Sequence, residues 1–161
     1  MMSVELVVSK VACMNPLDIL LHPATVHVPI GALVAGVCFV FWAHHRQLPE
    51  LERSAYWLLP FAWLTMIPSL ITGTIDAVNH INDPATPPEA LTWINLHAVS
   101  AIALFVLVWR GWQLRRRIRE TPAWGAPAYR GYLVNYLLIL VLVSLSGWSG
   151  GHMVYTLHLG G

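Results

Sequence analysis

Eight histidines interrupt a chain that otherwise reads as apolar, and two of them, His22 and His27, open the stretch "HPATVHVPIGALVAG". An ionisable group at membrane depth is costly, faces a bundle interior, and marks a functional site by default. Three kinds of chemistry fit imidazoles placed this way. They can ligate a haem iron axially between helices, as in b-type sites. They can join a carboxylate to hold zinc or copper. They can also serve as plain packing groups that hydrogen-bond across a bundle, a contact worth under about 1–2 kcal/mol.

Spacing selects among the histidines. From Trp42 back to His27 is 15 residues, about 22 Å at a helical rise of about 1.5 Å. From Arg110 back to His97 is 13 residues, about 20 Å. The two share one level, which makes His27 and His97 the expected pair of axial ligands. Asp76 and His152 come out at about 35 and 33 Å from Arg53 and Arg130, a second layer suited to orienting imidazoles or propionates. Gly31 and Ala35 below His27, and Ala101 below His97, would leave room for a flat macrocycle. This spacing gives no role to His22, His80 or His158.

Four apolar stretches must position these residues. Of 161 residues, 57% are hydrophobic and 11% charged, with a mean hydropathy of +0.60. A soluble domain carries about 25% charged residues, so the deficit points to a membrane. Spans of roughly 20 mainly apolar residues are needed to cross one. They are expected at about 26–43, 54–75, 94–109 and 133–155. Residues 1–21 are too interrupted by Glu5, Lys10, Asn15, Pro16 and Asp18 to span, and they lack a signal-peptide core and cleavage site. They read as a short interfacial helix, started by the Asn15 cap and Pro16.

Eight of the nine Lys and Arg fall in or beside two connections: Arg46 and Arg53 in one, and Arg110, Arg115, Arg116, Arg117, Arg119 and Arg130 in the other. The positive-inside rule makes that side cytoplasmic and turns both termini outward. Trp42, Trp57, Trp109 and Trp112 fall at the inner edge, Trp93 and Trp148 at the outer, as aromatic belts require. The expected architecture is all-α: an integral membrane antiparallel four-helix bundle, one domain over residues 1–161, in a bacterial inner membrane. Small residues should mark close packing, at Gly31 and Ala35, Ala32 and Gly36, and Gly147 and Gly151. Thr65, Ser69, Thr72, Gly73 and Asp76 form a polar stripe on the second helix, which Pro60 and Pro68 should kink. Cys13 and Cys38 have no metal or redox spacing, and Cys38 reads as a small packing residue. No sequence repeat is evident.

"HPATVHVPIGAL", "TGTIDAV", a histidine opening the third helix, and "SGWSGGHMVYTLHLGG" occur here in that order. In this the chain resembles a four-helix predicted membrane family catalogued as domain of unknown function 2231. The resemblance covers about residues 20–161. It implies motif positions at His22, Pro23, His27, Pro29, Gly73, Asp76, His97, Gly147, Trp148, Gly150, Gly151 and Tyr155. His158 stands one place later than the pattern expects. Association of some members with redox domains raises electron transfer, by analogy only. The resemblance equally fits an accessory subunit of a respiratory or photosynthetic complex, where a histidine could ligate haem or a chlorophyll-type pigment.

No catalytic Ser/His/Asp order, nucleophile elbow, P-loop or HExxH occurs, which speaks against a stand-alone catalyst. The leading expectation is a small membrane protein holding a b-type haem for electron transfer. The runner-up is a cofactor-free accessory subunit of a larger membrane complex, and the third a zinc- or copper-binding membrane protein. The bilayer and other membrane subunits are the expected partners, with no nucleic acid.

Overall fold

The computed structural model describes residues 16–118 and 124–159. Most of the expected interfacial segment, including Lys10 and Cys13, lies outside the described residues, as does Arg119. Four helices make up the fold: α1 (Pro16–Arg46), α2 (Pro49–Asn82), α3 (Ala90–Arg116) and α4 (Pro127–Tyr155). Each contains a stretch long and apolar enough to cross a membrane, the first being Ala24–Arg46. All four expected spans fall inside these helices, which run several residues past them at most ends. The extra turns come from local signals: proline at the first positions of α2 and α4, Glu50 and Glu52 at the start of α2, and Arg115 and Arg116 at the end of α3.

The separate short helix expected before Pro23 is corrected. From Pro16 the chain is one helix of 31 residues, running through Pro23 and Pro29. A helix can absorb such a proline when another group takes up the freed carbonyl. Pro29 has no N–H to offer the carbonyl of Thr25, and the Ser69 hydroxyl of α2 donates to that oxygen at 2.9 Å. Helix α1 ends in a tight turn at Gln47, whose φ of 54° is left-handed, with Leu48 N–H donating to Ala43 O at 3.0 Å.

Contacts pair the start of α1 with the end of α2 and the start of α3 with the end of α4: Thr25 meets Ser69 and Thr72, and His97 meets Ser146. Helices α1 and α2 form one tightly packed pair and α3 and α4 another. The pairs join through α2 with α3 and α1 with α4, while α1 and α3 stand diagonally without packing on each other. The core is narrow, built from Leu33, Val40, Leu59, Val108, Tyr129, Tyr132, Tyr136 and Ile139. Large apolar side chains point outward along every helix, Val34, Leu64, Val106 and Val141 among them. In water such an exterior would be an aggregation surface; in lipid it is the solvated face.

Small residues pack, but not all those expected. Gly36 lies against the Tyr136 ring and Ala32 is buried, whereas a side chain at Gly31 or Gly147 would meet nothing within 4 Å. Those two glycines are on the outward face, a matter of rotation about the helix that an xxx spacing does not fix. Cys38 is likewise exposed rather than packed.

Candidate functional site: a paired histidine centre

The structure brings His22, from α1, beside His97, from α3. Their ring centroids are 6.3 Å apart and the rings stand at 87° to each other. His27, expected as the partner of His97, is exposed on another side of α1. Five residues separate His22 from His27, a rotation of about 140° at 3.6 residues per turn.

Each imidazole is oriented by the neighbouring helix. His97 Nδ1 lies 3.0 Å from the carbonyl of Ser146, which can only accept, so Nδ1 carries the hydrogen. Ser149 Oγ is close by at 3.3 Å. His22 Nδ1 lies 3.0 Å from Thr72 Oγ1, whose own hydrogen is directed to the carbonyls of Pro68 and Ser69 in its helix. For His97 this assigns the Nδ1–H tautomer and leaves Nε2 with its lone pair; His22 takes the same tautomer where the Thr72 hydroxyl donates within its own helix. An Nδ1–H held by an oxygen acceptor is how proteins aim an Nε2 ligand at a metal.

Each ring also lies over a glycine. A Cβ added at Gly73 would meet His22 Cε1 at 2.7 Å, and one added at Gly150 would meet His97 Cε1 at 3.2 Å. Glycine at these two positions is what lets the rings sit against α2 and α4.

The two halves are built alike. Thr25 donates to His22 O at 2.9 Å and Ser100 to His97 O at 2.8 Å, each one turn beyond its histidine. Thr72 and Ser149 each donate to a serine three residues earlier, Ser69 and Ser146. The pattern H-x-x-[ST] on one helix and S-x-x-[ST]-G on the next thus occurs twice, over residues 22–73 and 97–150. The sequence reading saw no repeat. The matching positions are few, they span about fifty residues each time, and Ser and Thr are common elsewhere.

The other expected site residues divide. Asp76 lies near enough to His22 to favour its protonated form, although burial acts more strongly and lowers the histidine below its ordinary pKa. His152 packs its ring on Trp93 at 4.0 Å between centroids and near Trp148 at 6.3 Å, in an aromatic group rather than on the histidine pair. Ala101 is half-buried one turn below His97, and Gly31 faces outward and makes no room at the site. The polar stripe of α2 does face α1 through Ser69 and Thr72, whereas Thr65 bonds only to its own helix. Among the described residues no three His, Cys, Asp or Glu gather as a metal site.

No curated protein and no solved structure matches the chain. A family model described as "Predicted membrane protein (DUF2231)" matches residues 18–161. The four membrane-length helices agree with that match, and the chain belongs to this family of predicted membrane proteins.

Proposed function

We propose that this protein crosses a bacterial cytoplasmic membrane as an antiparallel four-helix bundle, with arginine-rich loops inside and both termini outside. Near its outer end it binds a b-type haem for electron transfer, with His22 and His97 as axial ligands. The observation that carries this reading is the pair of perpendicular imidazoles from diagonal helices, each with Nδ1 tied down and Nε2 left over.

The donor set favours haem over a bare ion. Two imidazoles complete an iron whose other ligands belong to a macrocycle, but zinc or copper needs at least one more protein ligand. Helices α1 and α3 do not close on each other along the diagonal. When bound, haem would supply a one-electron couple. The chain's part is to fix the imidazoles through Thr72, Ser146 and Ser149 and to set the local charge through Asp76.

A reduced-minus-oxidised absorbance spectrum of the purified chain, produced with ample haem, tests this. A b-type signal lost in His22→Ala and in His97→Ala, and kept in His27→Ala, is the expected result. Loss in His27→Ala with retention in His22→Ala would move the ligand to His27. A colourless chain would overturn the haem reading in favour of a cofactor-free accessory subunit. One observation suits that alternative: each Nδ1 bond already ties two helices together without any cofactor. Stoichiometric zinc or copper in a colourless chain would instead support an ion site completed by groups outside the pair.

A further inference from the structure

The opposite, arginine-rich end of the bundle holds a second polar group that the histidine site does not use. Glu52 is fully buried and receives two hydrogen bonds from Arg115, at 2.6 and 2.8 Å. Around this pair run three fully buried phenols of α4, Tyr129, Tyr132 and Tyr136, with successive ring centroids 5.9 and 5.1 Å apart. His44 of α1 lies against Tyr129 at 5.7 Å. Tyr136 is satisfied, donating to Ala55 O at 2.7 Å. Four other polar atoms here are buried with no hydrogen-bond partner among the described residues: Tyr129 Oη, Tyr132 Oη, Asn135 Oδ1 and His44 Nδ1.

Buried polar atoms without partners are few in native proteins, and each calls for an explanation such as an ordered water or ion. Four of them lie at one end of this small bundle. Their chemistry narrows what joins them. Two are hydroxyls with a hydrogen to donate, one is an amide oxygen that only accepts, and one is a ring nitrogen that can do either. The nearest full charges already cancel, since Arg115 is committed to Glu52 and to Ile118 O. Among the described residues, the full charges acting on these phenols are those of Glu52 and Arg115, so neither an anion nor a cation finds an unmatched charge there. What remains is a small neutral group able both to donate and to accept, which is water.

We propose that the inner end of the bundle binds ordered water that bridges Tyr129, Tyr132, Asn135 and His44 beside the Glu52–Arg115 pair. The site is separate from the histidine centre and does not depend on what that centre binds. Radiolytic hydroxyl labelling in ¹⁸O-enriched water tests it on the full-length chain in detergent or nanodiscs, because bound water generates the radical beside the buried ring. After correction for the intrinsic radical reactivity of each side-chain type, Tyr129 and Tyr132 should be modified well above buried side chains such as Ile139, and should incorporate the bulk isotope slowly. Labelling of both at the Ile139 background would overturn the proposal, whatever any variant does. Tyr129→Phe supplies a second readout. A water-bridged hydroxyl is worth keeping, so its loss should lower the melting temperature. A hydroxyl with no partner at all is a burden, so a higher melting temperature would count against the site.

Discussion

Alanine at Gly73 tests the histidine centre at its tightest contact. The added methyl carbon would stand 2.7 Å from His22 Cε1, against a comfortable carbon–carbon separation of about 3.5 Å or more. The imidazole must therefore retreat by roughly 0.8 Å. Retreat along that direction stretches the 3.0 Å bond to Thr72 past the limit of a hydrogen bond. Overpacking of this kind costs about 1–3 kcal/mol and the lost bond about 1. The better helix propensity of alanine returns about 1 kcal/mol. The net expectation is a loss of about 1–3 kcal/mol, with displacement of any ligand held by His22. Gly150→Ala meets His97 at 3.2 Å and needs only a few tenths of an ångström, so it should fall near neutrality or about 1 kcal/mol below it. Gly31→Ala and Gly147→Ala meet nothing and should gain about 0.5–1 kcal/mol. Denaturant titration of the four variants in mixed micelles gives the order directly. A Gly73→Ala protein as stable as Gly147→Ala, with its ligand spectrum unchanged, would refute the placement of His22 over α2.

Three further outcomes follow from particular contacts. Arg115→Met should destabilise the fold by about 3–5 kcal/mol by stranding the Glu52 carboxylate, while Glu52→Leu with Arg115→Met should recover most of that loss; equal stability of the single and double variants in the same titration would show the pair to be solvated. Ser69→Ala removes the donor to the Thr25 carbonyl freed by Pro29 and should cost about 1–3 kcal/mol, with Ser54→Ala, an exposed hydroxyl bonded only within α2, as a near-neutral control. In the haem-free protein, Asp76→Asn takes away the charge that favours protonated His22, so the pKa of that histidine should fall further below its ordinary value; an upward move in an NMR titration of the ring would contradict the contact.

How much could be read in advance depends on which coordinate of a helix a property uses. Hydropathy and length are sums along the chain, so all four membrane-length helices were legible, and so was the polar stripe of α2 through Ser69 and Thr72. Distance along a helix axis is also linear, and it ranked the histidines by their separation from the arginine-rich loops. Partner choice is angular. Rise alone made His27 the match for His97, but the chain reaches His97 with His22, from a turn and a half earlier on α1 and a different side of the helix. The same blindness to rotation made Gly31 and Gly147 packing candidates alongside Gly36, which does pack, while Gly73 and Gly150 do the close work at the histidines. Glu52 carried no signal in the sequence, because a glutamate in the first turn of a helix ordinarily faces water. Arg115 was one of a run of arginines whose shared reading was topology.

The sequence by itself determined that the chain is a membrane protein of this family with four membrane-length helices and that six of its eight histidines collect towards one end. Those properties follow from composition and order, and no neighbour is needed to express them. Only the tertiary structure decided that His22 lies beside His97, that both rings are tied through Nδ1 to the neighbouring helix, and that a buried ion pair and three phenols occupy the other end. Each of those depends on the rotation of one helix against another. That rotation is set by packing, by where Gly73 and Gly150 admit a ring and where Tyr136 fills the space over Gly36, and packing is a property of pairs of segments.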